Sequence, residues 1–162
     1  NLNVKILSTV LLDDGSTEHG ILISKNKNWL YFWKLNDFQI DGRVLVRRSH
    51  VTTHLIEKMS KMWFRTMKAL NEFDKIDHRW EIELPKSDKA IKKVTDDNSA
   101  LCIHQGRGLN VGHIGFIGKN KMSLKWYKMN GKLQPAKKFK LRTVYMFYID
   151  CDYAQAFCAF GK

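Results

Sequence analysis

The chain has 162 residues, of which 44% are hydrophobic and 27% charged, with a net charge of +12. That hydrophobic share excludes a disordered chain and is enough for a packed core, and no uninterrupted apolar run approaches the ~20 residues of a membrane-spanning helix. The basicity is local: residues 1–53 carry +2, residues 54–99 carry +1 and residues 100–162 carry +9.

The opening residues, NLNVKILSTVLL, alternate and predict a first strand over 3–12. They lack the basic leader and small-residue cleavage site of a signal peptide. Asp13-Asp14-Gly15-Ser16 is a turn, and residues 17–24 predict a second strand with Gly20 at a bend or bulge. Residues 29–35, WLYFWKL, predict a third strand that is bulky on both faces. A short strand at 38–40, a turn at Asp41-Gly42 and a strand from Arg43 towards Val51 follow. Short strands punctuated by turns at this spacing point to a small barrel or an orthogonal sandwich.

The period then changes. Leu55, Ile56, Met59, Met62, Trp63, Met67, Leu70 and Phe73 recur every three to four positions. This predicts an amphipathic helix over 53–73, capped by Thr52 or Thr53. Residues 80–84 predict an extended piece stopped by Pro85, and Ser87 caps a short helix over 88–95. The loop at 96–99 is the expected module boundary. Residues 100–105 predict another strand, Gly106-Arg107-Gly108 a hairpin tip, and residues 112–149 three strands. The middle one alternates: Met122, Leu124 and Trp126 fall on one face, Ser123, Lys125 and Tyr127 on the other. Asn130-Gly131 suits a hairpin turn. The run 139–149 becomes apolar on both faces, so its end should be covered on both sides. The tail at 152–160 predicts a short helix.

Little in the sequence carries catalytic chemistry. His50 and His54 are four apart but have no third ligand partner nearby in sequence, so no metal centre is expected. Asp150 and Asp152 flank Cys151 and read as turn and cap residues. Cys102, Cys151 and Cys158 form no CxxC pair and read as reduced thiols of a cytoplasmic protein. No cofactor motif stands out. The strongest candidate site is a lysine-rich face of the last strands: Lys119, Lys121, Lys125, Tyr127, Lys128, Lys132, Lys137, Lys138, Lys140 and Arg142. Concentrated cations attract acidic partners and speed encounter with them. Lysine in place of arginine favours diffuse attraction over bidentate readout.

The two ends of the chain also echo each other. Gly20-Ile21-Leu22-Ile23, the bulky strand at 29–33 and the alternating Val44 to Arg48 match Gly115-Phe116-Ile117, residues 123–127 and Phe139 to Arg142 in the same order. This pattern resembles the Sm-like (SH3-like) small barrel. Residues 20–35 look like its first motif and residues 41–51, DGRVLVRRSHV, like its second. The chain further resembles bacterial proteins built from two such barrels in tandem, with a Phe-x-x-Asp-Gly segment like Phe38 to Gly42 and a Tyr-x-x-x-Phe tail like Tyr153 to Phe157. The resemblance implies a mainly β fold in which an amphipathic helix separates two barrels, at 1–53 and 100–162, with the helical insert and linker at 54–99. It also implies an alternative nucleic-acid site, with Asn28, Arg47 and Arg48 supported by Lys125 and Lys128; Arg48 stands where the family has glycine.

The expectation is therefore a non-enzymatic, cytoplasmic binding protein that does not engage a membrane. Its first candidate partner is an acidic protein surface such as a toxin domain, neutralised by direct binding as immunity proteins do. The alternative partner is RNA.

Overall fold

A computed structural model describes residues 5–105, 108–126, 128 and 132–159. The chain is mainly β; among the described residues, ten strands are hydrogen-bonded into one antiparallel sheet and three short α-helices pack on it. The strands are β1 (Ile6–Leu12), β2 (Thr17–Lys25), β3 (Trp29–Asn36), β4 (Gln39–Arg47), β5 (Val51–Lys58), β6 (Ala100–Gln105), β7 (Gly108–Ile117), β8 (Lys121–Trp126), β9 (Lys137–Lys140) and β10 (Met146–Ile149). The helices are α1 (Lys61–Ala69), α2 (Lys89–Lys93) and α3 (Asp152–Ala159). Among the described residues, no helix is long and apolar enough to cross a membrane.

The strand order is β5-β1-β2-β3-β4-β10-β6-β7-β8-β9. It consists of two five-strand runs with the same connectivity. In each, four strands meander, a single 3-10 turn follows (Arg48–His50 or Leu141–Thr143), and the fifth strand returns to pair with the first. The runs join where β4 pairs with β10, from Arg43↔Ile149 to Val46↔Met146.

Four expectations need correction. Residues 53–58 are not helical. They belong to β5, which pairs with β1 from Lys58↔Ile6 to Val51↔Leu12. The helix begins only at Lys61, and its cap is Ser60, whose hydroxyl accepts from Trp63 N–H; neither Thr52 nor Thr53 caps it. Asp41-Gly42 is not a turn between strands. The register steps from Trp33↔Arg43 to Leu35↔Ile40, so these residues bulge within one continuous β4. The run 139–149 is not one strand: the 3-10 turn divides it into β9 and β10, which lie far apart in the sheet. Residues 81–84 take neither helix nor strand form. The apolar end of that last run is covered on both sides, because β10 is a central strand between β4 and β6. The Asn130-Gly131 turn and the Gly106-Arg107 tip lie outside the described residues.

Packing follows the alternation. Val10, Leu12, Leu30, Phe32, Val44 and Val46 of the first run form one core with Tyr145 and Met146 of the second. Leu101, Ile103, Met122, Leu124, Phe139 and Phe147 of the second run form another with Ile91 and Val94 of the connecting segment and with Trp29, Tyr31 and Leu45 of the first run. α1 places Met67 and Trp63 against Ile21, Trp33 and Leu35. α3 sets Ala154 and Cys158 on Ala100, Cys102 and Val111.

Candidate binding face and the junction cavity

Register places the candidate lysines. In the β8–β9 pair Lys121 lies opposite Lys140 and Ser123 opposite Lys138, while Met122 lies opposite Phe139. Directly opposed residues share a face, and Met122, Leu124 and Phe139 are core. Lys121, Lys125, Lys138 and Lys140 therefore stand together on the outer face, all exposed. Opposing like charges cost stability, so this arrangement is not what packing alone would select. Trp126 shares the inner face with Leu124 and is half-buried, its indole N–H donating to Pro135 O at 3.1 Å.

Lys137 departs from the group. It shares the face of Leu124, its ammonium donates to Asn110 Oδ1 at 2.6 Å, and it sits 5.9 Å and 5.4 Å from the Trp126 and Phe139 ring centres. Lys119 lies in the turn between β7 and β8. Lys128 and Lys132 are exposed beyond β8 and joined by a backbone hydrogen bond, and Arg142 is exposed in the second 3-10 turn. Tyr127 lies outside the described residues. The aromatic that the structure does place on this face is Phe116, which pairs opposite Ser123 and is 60% exposed.

The sequence reading also missed a second set of lysines. Lys89, Lys92 and Lys93 lie at i, i+3 and i+4 on α2, while Ala90 and Ile91 of the same helix are buried. With Lys119, Ile117 and Gly118 they line a cleft of about 810 Å³. The spacing in KSDKAIKK was the available signal, since residues three and four apart share a helix face. Among the described residues, none of Lys89, Lys92, Lys93, Lys119, Lys121, Lys125, Lys138 or Lys140 forms an ion pair.

The alternative nucleic-acid residues are already engaged. Asn28 donates its side-chain amide to Lys86 O, and Trp29 Nε1 donates to Ser87 O at 3.2 Å. Arg47 donates to Leu141 O at 2.9 Å and Val144 O at 3.1 Å, pairs with Asp88 at 2.9 Å, and stacks 4.3 Å from the Trp29 ring centre. The segment 84–88 thus closes over Asn28 and Arg47. Arg48 lies in the first 3-10 turn, while Lys125 and Lys128 belong to the other five-strand run. His50 and His54 also part company: His50 pairs with Asp13 at 2.8 Å and His54 hydrogen-bonds Ser8 Oγ at 2.8 Å.

Where the two runs join, Glu18, Lys34, Asp41, Cys102, His104 and Tyr148 line a cavity of about 350 Å³. Four of its polar groups satisfy one another in two pairs. Tyr148 donates to Glu18, and Lys34 pairs with Asp41 at 2.6 Å. Burial pushes the Cys102 thiol up to about 12, so it holds its proton at neutral pH and is a poor nucleophile. Burial also raises the Glu18 carboxyl above its ordinary 4.5. A group that holds its proton more tightly folded than unfolded contributes stability that falls as pH rises above the unfolded value. Glu18→Gln should therefore stabilise the protein at pH 7 relative to pH 4.5, with the gap between variant and wild type widening across that window in denaturant titrations.

Compared with known proteins, the chain matches no family model, no curated protein and no solved structure.

Proposed function

We propose that this chain is a non-enzymatic binding protein that engages an acidic protein surface through the outer face of β8–β9. On this reading it acts in the cytoplasm as an immunity-type protein, neutralising a toxin domain by covering it. Its two five-strand runs are Sm-like (SH3-like) small barrels, related by the repeated connectivity, with the helical segment between them. One observation carries the proposal: Lys121, Lys125, Lys138 and Lys140 share one exposed face beside Phe116, with no carboxylate among the described residues pairing with them. Unpaired cations lose no internal ion pair when they meet an acidic partner, and the exposed ring supplies an apolar contact among them. The lysines of α2 and Lys119 add to the same field. An acidic protein is favoured over RNA because Asn28 and Arg47, the residues that the small-barrel resemblance assigns to nucleotide binding, are held by the 84–88 segment.

The test uses labelled polyglutamate and a single-stranded RNA of equal charge as probes. Polyglutamate should bind the wild type, weaken as salt rises, and lose about tenfold or more in affinity on the double change Lys121→Glu and Lys138→Glu. RNA binding that exceeds polyglutamate binding at matched salt would overturn the choice of partner. Unchanged binding in the double variant would overturn the face.

A further inference from the structure

The two edges of the sheet are built differently. β9 forms one edge; it has four residues, three of them lysine. Short, lysine-bearing edges resist pairing with another chain. β5 forms the other edge; it has eight residues, VTTHLIEK, with no proline and no net formal charge. Met59 N–H donates to Lys5 O at 3.0 Å, and the β1–β5 register continues from that pair. Antiparallel strands alternate their hydrogen-bonding direction residue by residue. His54, Ile56 and Lys58 therefore turn their backbone N–H and C=O groups away from β1, towards open solvent.

The side chains at this edge are apolar on both faces. Leu55 lies opposite Thr9 and beside Leu11; Ile56 lies opposite Ser8 and beside Ile6. Leu55 is 61% and Ile56 43% exposed, and Leu11 and Ile6 are exposed as well. A long edge strand with exposed apolar side chains and no proline is a template for strand addition. The same place in the other run is filled: β10, the returning fifth strand there, carries a partner strand on its far side, β4.

We propose that β5 pairs antiparallel with β5 of a second copy of this chain, making a two-fold symmetric dimer with a continuous sheet. Three observations select a second copy over another partner. The strand is self-complementary: directly opposed residues share a face and a hydrogen-bonding direction, and when pairing is centred on Leu55, His54 faces Ile56, Glu57 faces Thr53 and Lys58 faces Thr52, so no like charges oppose. The strand itself carries no net formal charge in a chain of +12, so its own side chains do not select a charged segment. The sheet order places the lysine-rich β8–β9 face at the far edge, so two copies joined at β5 keep their positive fields apart. A symmetric interface of this kind closes at two chains.

Sedimentation equilibrium across a wide concentration range tests this. The wild type should approach twice the 19.0 kDa chain mass. The double change Leu55→Lys and Ile56→Lys should return it to one chain, as should Ile56→Pro, which removes an outward N–H. Lys138→Glu at the opposite edge should leave the dimer intact. Amide hydrogen exchange on the unmodified protein supplies a reading that needs no variant: protection at His54, Ile56 and Lys58 should rise with protein concentration. A single chain at every concentration, growth past two chains, a dimer that survives the β5 changes, or concentration-independent exchange at these amides would overturn the proposal.

Discussion

Arg43→Met should destabilise the fold by about 3 kcal/mol, since removing one member of a buried, hydrogen-bonded charge pair strands its partners. Arg43 is only 2% exposed. Its guanidinium donates to Asp150 Oδ2 at 2.5 Å, Val94 O at 2.8 Å and Tyr31 Oη at 3.1 Å, and lies 3.8 Å from the Trp80 ring centre. These partners come from β3, the segment before β6, and the turn after β10. One side chain therefore ties the first run, the connecting segment and the second run together. Methionine fills part of the volume but supplies no donor. The Val94 carbonyl and the Tyr31 hydroxyl lose a donor, and the Asp150 carboxylate is left with Ala100 N–H at 2.9 Å. Asp150 is 30% exposed, which holds the loss towards the lower end of the range for buried pairs. Adding Asp150→Asn to Arg43→Met should recover part of it. Urea titrations of the three variants measure the effect, and a loss below about 1 kcal/mol in Arg43→Met would show that the contacts are not coupled as described.

Gly42→Ala should cost about 3 kcal/mol or more, combining left-handed backbone strain with a steric clash. Gly42 has φ +71, and a Cβ there would meet Ile149 O and Cys151 N, each at 2.6 Å. Both contacts are backbone, so neither can rotate away. Relief would require β4 and the end of β10 to separate, where Arg43 pairs with Ile149. Gly15 supplies the control. It also has positive φ, at +85, yet nothing lies within 4 Å of its Cβ position. Gly15→Ala should cost only about 1 kcal/mol, the strain alone. The difference between the two variants isolates the close approach of the strands. Equal losses would mean that the junction relaxes freely.

The strands were the legible part of this chain. β2, β3 and β8 show themselves because alternation, turn residues and bulky β-formers agree at each of them. The face of Lys121, Lys125, Lys138 and Lys140 was legible for the same reason, since parity along β8 and β9 fixes which side chains share a side. β5 was not legible. Leu55, Ile56 and Met59 continue the three-to-four spacing of Met62 and Trp63 across Ser60, so a strand and a helix merge into one apparent stripe. Pairing with β1 settles the matter, and that is a tertiary contact no local window contains. Phe116 was hidden by the register shift between Ile114 and Phe116 opposite β8, which breaks simple alternation. Arg43 looked like an ordinary polar member of an alternating strand. Its burial depends on Asp150, more than a hundred positions away, and on a carbonyl in the connecting segment.

β10, the last strand in chain order, sits in the middle of the sheet. During synthesis β4 and β6 are therefore both made long before the strand that separates them. Until residues 146–149 emerge, each presents an apolar strand with one unsatisfied side, and direct union of the two would exclude β10. The final assembly is an insertion between finished halves, a step that depends on contacts distant in sequence and is slow for that reason. A ribosome-stalled chain ending before Met146 should accordingly be far more prone to self-association than its composition alone implies.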